Sequence, residues 1–322
     1  MLLRFSRVSV LLLLGGLLTA SSPSPGDLVP PLEAQTPLPA GISDQTYRIS
    51  VDLVNVLCSV FDRKTDSFMT NLAREDFALY EDGKSQEITN FARETNLPLT
   101  LAMLVDTSES VTPKLKFIQD TATSFFQTVL RDRDRAMLVE FDSSVTLLQD
   151  FTNDPNKMAR QIRKLQAAGG TALYDAIAMT CDEKLIRETG RKAIIIVSDG
   201  EDISSRTDMR QALEMALRAE STIFPISISK GGLFGTGDDT EKGDRILRQL
   251  AQETGGKVFF PIQEEDLDEA FRQISLELRS QYNLGYHSTN PLRDGSYRKI
   301  EIKVQDNNLK LNYRRGYYAP SN

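Results

Sequence analysis

Residues 99–110 read "LTLAMLVDTSES". From Leu99 to Val105 the run is apolar apart from Thr100, the signature of a buried strand. It ends on Asp106-x-Ser108-x-Ser110, three side-chain oxygens at alternate positions. Asp and Ser are also ordinary turn residues, because their short side chains bond their own backbone. Taken alone the stretch is only a turn after a strand, so its meaning depends on the chain around it.

Working outward, apolar strands alternate with helical stretches from Leu99 to about Gln281. The strands are predicted at Leu99–Val105, Arg135–Phe141, Val145–Leu148, Lys192–Ser198, Thr222–Ile228 and Lys257–Ile262. The helices are predicted near 113–130, 155–167, 172–188, 207–220, 243–254 and 264–280. Thr112 before Pro113 and Asp154 before Pro155 place proline at a first helical position. Strands alternating with helices imply an α/β fold with a doubly wound, mostly parallel sheet covered on both sides. "AIIIV" at 193–197 is apolar on both faces, as a central strand must be. The link between Phe141 and Val145 is too short for a crossover, so that pair is antiparallel.

The flanks differ. Residues 46–96 read as strands, with a hairpin signal at Glu81-Asp82-Gly83. Strand patterns return at 282–319. Neither flank is large enough to stand alone. We expect them to pair with each other as one β-sandwich, with the α/β domain (97–281) inserted between them, rather than to form two separate appendages. In this sandwich Tyr282, Tyr286, Tyr313, Tyr317 and Tyr318 read as core or edge positions.

The N-terminus carries Arg4 and Arg7, an apolar stretch from Val8 to Leu18, then small residues. That order is a secretory signal peptide (1–22), too short to be a comfortable membrane span, with an uncleaved N-terminal anchor as the open alternative. Residues 23–45 form a loose linker, in a region holding six of the thirteen prolines. The chain is therefore expected to be exported: periplasmic, cell-surface or secreted, with no stable membrane span after cleavage. Its net charge of −7 argues against nucleic acid as a partner. No Lys/Arg cluster stands out along the chain. The two cysteines, Cys58 and Cys181, read as separate buried thiols, and no Cys/His cluster suggests zinc. The single histidine, His287, falls in a flank strand, which disfavours a Ser-His-Asp hydrolase. The glycine-rich stretch 230–239 lacks the Gly-Lys-Ser/Thr ending of a phosphate loop and reads as a surface loop, with Leu233 and Phe234 at its centre.

Ligands of open α/β sheets bind beyond the carboxyl ends of the strands. Three polar loops lie at or near such ends: Asp106-Thr-Ser108-Glu-Ser110, "AAGGTALYDA" with Thr171, and "IIIVSDGED" with Asp199. Two carboxylates and three hydroxyls are hard donors suited to Mg²⁺ or Mn²⁺, with Ca²⁺ also open. Glu109, Glu201 and Asp202 lie nearby; they either tune the site or fill its outer shell or, as is more usual, are simply solvated, and they are left out of the site. The Asp-x-Ser-x-Ser loop, the second-loop Thr and the third-loop Asp resemble the metal-ion-dependent adhesion site of von Willebrand factor type A domains. All five positions match. The resemblance implies Ser108, Ser110 and Thr171 as hydroxyl donors, and Asp106 and Asp199 as carboxylates acting directly or through water. "TGGKVFF" (254–260) resembles that fold's last core strand. "LAREDFALYEDGKSQEITNF" and "QYNLGYHSTNPLRDGSYRKIEIKV…RRGYYAP" resemble the flanks of bacterial VWFA-related proteins common in acidobacteria. The resemblance implies an adhesion or assembly module, not an enzyme, whose metal captures an Asp or Glu of a protein partner. Two alternatives stay open. One is a metal-dependent phosphoryl hydrolase, although Ser108 stands where a haloacid-dehalogenase-type phosphatase would need an acid/base Asp. The other is an envelope scaffold with a vestigial site.

Overall fold

A computed structural model describes residues 53–93, 97–229 and 238–321, with backbone alone for 238–241 and 264. The signal segment, the proline-rich linker and most of the 230–239 stretch, including Leu233 and Phe234, lie outside these residues. Alternating apolar residues make β1 (Leu53–Asp62), whose Val54, Val56, Cys58 and Val60 are buried. Then come β2 (Phe77–Glu81), β3 (Lys84–Gln86) and β4 (Ile88–Arg93). Between β2 and β3, Asp82 and Gly83 both take positive φ (47° and 79°), the conformation that the Glu81-Asp82-Gly83 signal demands.

The α/β part follows: β5 (Leu99–Asp106), α1 (Leu115–Val129), β6 (Arg135–Phe141), β7 (Val145–Thr152), α2 (Pro155–Ile162) and α3 (Leu173–Met179). It continues with β8 (Arg191–Ser198), α4 (Met209–Arg218), β9 (Ser221–Ser227), α5 (Asp238–Thr254) and α6 (Glu264–Arg279). These strands form one sheet in the order β7-β6-β5-β8-β9. It is parallel except for β7, which runs antiparallel to β6 as the short link requires. Every residue of β5, β8 and β9 is buried. Side chains of β5 alternate between faces. Leu101 and Met103 pack with Phe126 of α1 and Phe271 of α6, while Ala102 and Leu104 pack with Ile177 of α3 and Leu247 of α5. Burying each such Leu or Phe is worth about 2 kcal/mol, so both faces anchor the strand.

The last strands are β10 (Tyr282–His287), β11 (Tyr297–Val304), β12 (Leu309–Tyr313) and β13 (Gly316–Tyr318). They join the N-terminal strands in two four-stranded sheets, β12-β1-β10-β4 and β13-β11-β2-β3. One apolar core lies between the two sheets and takes residues from both, Tyr282, Tyr286, Tyr313 and Tyr317 among them. Tyr318 packs edge-on against Tyr297 instead. His287 is exposed at the end of β10. Cys58 lies in the sandwich core and Cys181 in the α/β core, both free.

Three expectations need correction. Lys257–Ile262 does not pair as a strand. Phe259 makes a single parallel bridge to Ile226, through Ser227 N–H to Phe259 O (2.8 Å) and Phe259 N–H to Pro225 O (2.9 Å). Before it, Gly256 lies so close to the Ile223 carbonyl that any Cβ would collide. After it, Asp266 captures the Ile262 and Gln263 N–H groups (3.0 and 3.1 Å) and starts α6. Second, α1 begins at Leu115, because residues 109–114 form a tighter 3₁₀ turn in which the Thr112 hydroxyl donates to the Glu109 carbonyl (2.8 Å). Asp154, by contrast, caps α2 as expected, accepting from Asn156 N–H at 2.8 Å with Pro155 at the first position. Third, the helix expected at 172–188 stops at Met179 and continues as a wider turn over Thr180–Lys184 and a 3₁₀ turn over Leu185–Arg187.

Candidate metal centre at the sheet's carboxyl edge

The chain leaves β5 for β6 on one side and later places β8 on the other, so strand order reverses between β5 and β8. That is the switch point where loops part and a crevice opens. Asp106 ends β5, and Asp199 follows the last residue of β8. The sheet register thus brings together two carboxylates 93 positions apart in sequence.

Asp106 is fully buried. One carboxylate oxygen accepts Ser108 N–H (2.9 Å) and the other accepts the Ser198 hydroxyl (2.6 Å). No Lys or Arg pairs with it among the described residues. Burial pushes its carboxyl up to about 6, with the negative charge of Asp199 adding to the effect against the pull of its hydrogen bonds. The Ser108 and Ser110 hydroxyls lie 3.0 Å apart, and Ser110 donates to Asp199 Oδ2 at 2.8 Å. Four of the five expected residues therefore form one connected set. Ser108 and Asp106 are its buried floor, and Ser110 is exposed at its rim with half-buried Asp199.

Thr171 is buried, and its loop is tied to both others. Ala168 N–H donates to Thr107 O (2.7 Å), and Glu109 N–H to Gly169 O (3.3 Å). Ile203 and Ser204 both donate to the Thr171 carbonyl (3.0 and 2.9 Å). Gly170 N–H is held by the Ser143 hydroxyl at 2.8 Å.

Sequence reading missed three contributors. Ser198 lies inside the apolar β8 pattern, where nothing separates it from an ordinary strand end, yet its hydroxyl orients Asp106 and accepts Gly200 N–H (3.0 Å). Asp202, read as solvated, accepts Tyr174 N–H (2.9 Å) at the start of α3 and the Ser205 hydroxyl (2.6 Å). Asp175 answers from α3, accepting Arg206 and Thr207 N–H (3.0 and 2.9 Å). This cross-brace fixes the second loop against the third. Gly200, at φ +80°, packs on Gly243 of α5 so closely that a Cβ would strike the Gly243 carbonyl.

The donor set fits a hard divalent cation. All five side chains offer oxygen, and a buried carboxylate without a cationic partner is costly unless something positive sits beside it. No three His, Cys, Asp or Glu side chains converge among the described residues.

Residues 101–201 match the model of the von Willebrand factor type A domain, a span that contains all five residues expected at the site. The resemblance carried by the three loops is thereby shown for this segment. Among solved structures, the D319A mutant of the PilB minor pilin from Streptococcus sanguinis matches at 14% identity and TM-score 0.47, over 57% of this chain. This chain spans only 62% of that pilin's length. A von Willebrand factor type A protein from Catenulispora acidiphila matches at 14% identity, covering 76% of this chain and 74% of that one, with TM-score 0.47. The type V pili tip protein Mfa5 domain from Porphyromonas gingivalis matches at 16% identity over 56% of this chain and 94% of its own, with TM-score 0.45. No curated protein matches.

Proposed function

We propose that the chain is an exported protein-binding module for adhesion or extracytoplasmic assembly, built around a Mg²⁺-type site of Asp106, Ser108, Ser110, Thr171 and Asp199. The observation that carries this reading is the connected set Asp106–Ser108–Ser110–Asp199 at the switch point, with a buried acid that lacks a cation. Mn²⁺ or Ca²⁺ suits the same oxygens. When bound, the ion would supply a seat for an Asp or Glu of a partner protein. The chain's own part is to orient and insulate. Ser198 and the Ser108 amide hold Asp106 in place, and the cross-brace between Asp175 and Asp202 keeps the loops in register. Exposed Ser110 and half-buried Asp199 leave the site reachable from solvent. Among the described residues no helix is long and apolar enough to cross a membrane. The flank resemblance to bacterial VWFA-related proteins and the signal pattern at 1–22 support an envelope or extracellular setting.

The test is calorimetric titration of Mg²⁺ and Mn²⁺ into the protein and into Asp106→Ala. One-site binding lost in the variant supports the reading. Equal binding by both proteins rejects the assigned site. Turnover of a phosphate ester that needs Asp106 would instead favour a hydrolase.

A further inference from the structure

Between α5 and β12 lies a groove of about 660 Å³. Five cations line it: Arg63, Arg248, Lys257, Lys310 and Arg315. No Asp or Glu does, although the chain as a whole carries −7. Lys257 alone has an acidic partner, Asp66 at 2.7 Å, and that aspartate is 60% exposed. Such a surface pair is worth at most about 1 kcal/mol and leaves the lysine available to a competitor. Arg63 is held by the backbone carbonyls of Asn307 and Leu309 (3.0 Å each). Arg248 lies 4.1 Å over the Phe260 ring and Arg315 4.8 Å over Tyr313. Lys310 is exposed. None of these four pairs with a carboxylate among the described residues. These charges come from distant parts of the sequence, and Asp66 is the one acid that pairs with them among the described residues.

The groove also holds a strand edge. β12 pairs with β1 on one side and is the outermost strand of its sheet. Its outer edge is largely taken: Leu309 N–H donates to Asp306 O (3.1 Å), Leu309 O accepts from Arg63 Nε (3.0 Å), and Thr254 bridges Arg314. Arg63 is bonded at the Leu309 end of β12, and Arg315 lies two residues past Tyr313 at the other end. At about 3.3 Å per residue the four steps from Leu309 to Tyr313 span ~13 Å, too far for these two cations to close on one phosphate. Ile302, Leu311 and Val258 give the groove an apolar component as well. Charge at both ends with apolar surface between fits an extended acidic chain.

We propose that this groove docks a carboxylate-rich, extended peptide segment of a partner protein. The five cations select for Asp or Glu along the segment, and Ile302, Leu311 and Val258 receive its apolar side chains. The surface is separate from the three-loop site and needs no metal.

The experiment is fluorescence anisotropy of the purified protein, in EDTA, with a labelled peptide of about six residues alternating Glu with Val and Thr. Saturable binding that weakens with salt is expected. The double charge reversal Arg248→Glu/Lys310→Glu, at two exposed positions, should weaken it roughly tenfold or more. An unchanged melting curve shows that this variant is folded. Asp106→Ala should bind the peptide as the parent does, so failure here is distinguishable from failure of the metal site. A peptide with Gln in place of every Glu should lose binding, since it offers the cations no charge. The proposal is overturned if the charge reversal leaves affinity unchanged or if the Gln peptide binds equally. It is also overturned if tripolyphosphate displaces the peptide with equal affinity, which would make the groove a bare anion site.

Discussion

Asp106 and Glu81 are both buried carboxylates, one at the end of β5 and one at the end of β2, and the fold treats them differently. Glu81 is 2% exposed and accepts three hydroxyls: Tyr286 (2.8 Å), Tyr317 (2.9 Å) and Ser288 (2.6 Å). Arg298, 3% exposed, stands 3.6 Å from it and is itself held by Ser288 and the Asn290 carbonyl. The sandwich therefore neutralises its buried acid from within. Asp106 has hydrogen bonds but no cation, and a second acid, Asp199, close by. A buried acid with its own arginine is a structural element, whereas one left without a positive partner is suited to receive one.

The largest effect is expected in the sandwich. Arg298→Ala leaves Glu81 buried and uncompensated and should cost about 3–5 kcal/mol in urea unfolding. Adding Glu81→Leu should recover part of that loss, and a double-mutant cycle measures the coupling. If Arg298→Ala costs nothing, the contrast collapses.

The next effect sharpens the other half. Mg²⁺ at about a hundred times its dissociation constant should raise stability by about 2.7 kcal/mol, and Asp106→Ala should abolish the gain. In chelator, Asp106→Asn should cost under about 1 kcal/mol, because no native ion pair is lost. A metal-induced rise that survives Asp106→Ala would place the ion elsewhere.

Gly200→Ala tests how the third loop is held. Its Cβ would meet the Gly243 carbonyl at φ +80°, so α5 or the loop must shift. We expect a loss of about 1–3 kcal/mol and weaker metal binding through displaced Asp199. Unaltered binding would mean that the α5 contact does not position that carboxylate.

The smallest effect concerns a third buried acid, Glu277 on α6, 1% exposed with the Asn312 amide at 3.5 Å. Burial, only partly offset by its hydrogen bonds and by Lys257, pushes its carboxyl up to about 7 from an ordinary 4.5. The folded state then binds the proton more tightly than the unfolded one. Its stabilising contribution is present below about pH 4.5 and lost as pH rises through about 7, at roughly 1 kcal/mol per pH unit. Glu277→Gln should flatten that part of the stability profile. An unchanged slope would show that Glu277 is neutralised as Glu81 is.

Much of this molecule was legible in the chain because its signals are periodic or local. Apolar runs marked β5 and β8, and alternation marked the flank strands that meet in one core. Asp82-Gly83 marked a hairpin and Asp154-Pro155 a helix start. The three site loops were legible because each follows a recognisable element. Local pattern misled where packing overruled it. Lys257–Ile262 has strand composition, but the close approach at Gly256 and the capture of Ile262 and Gln263 by Asp266 leave it one bridge. Glu81 read as part of a turn, since nothing near it announces Tyr286, Tyr317 or Arg298.

The sequence by itself determined the elements, their order and the oxygen-rich loop chemistry, because hydrophobic period and turn preference act over a few residues. Only the tertiary structure decided which charges are answered. It paired Glu81 with Arg298, left Asp106 without a cation and gathered Arg63, Arg248, Lys257, Lys310 and Arg315 along one groove. The reason is that a charge's partners are set by distance in space, and strand register and sheet order bring together residues that lie far apart along the chain.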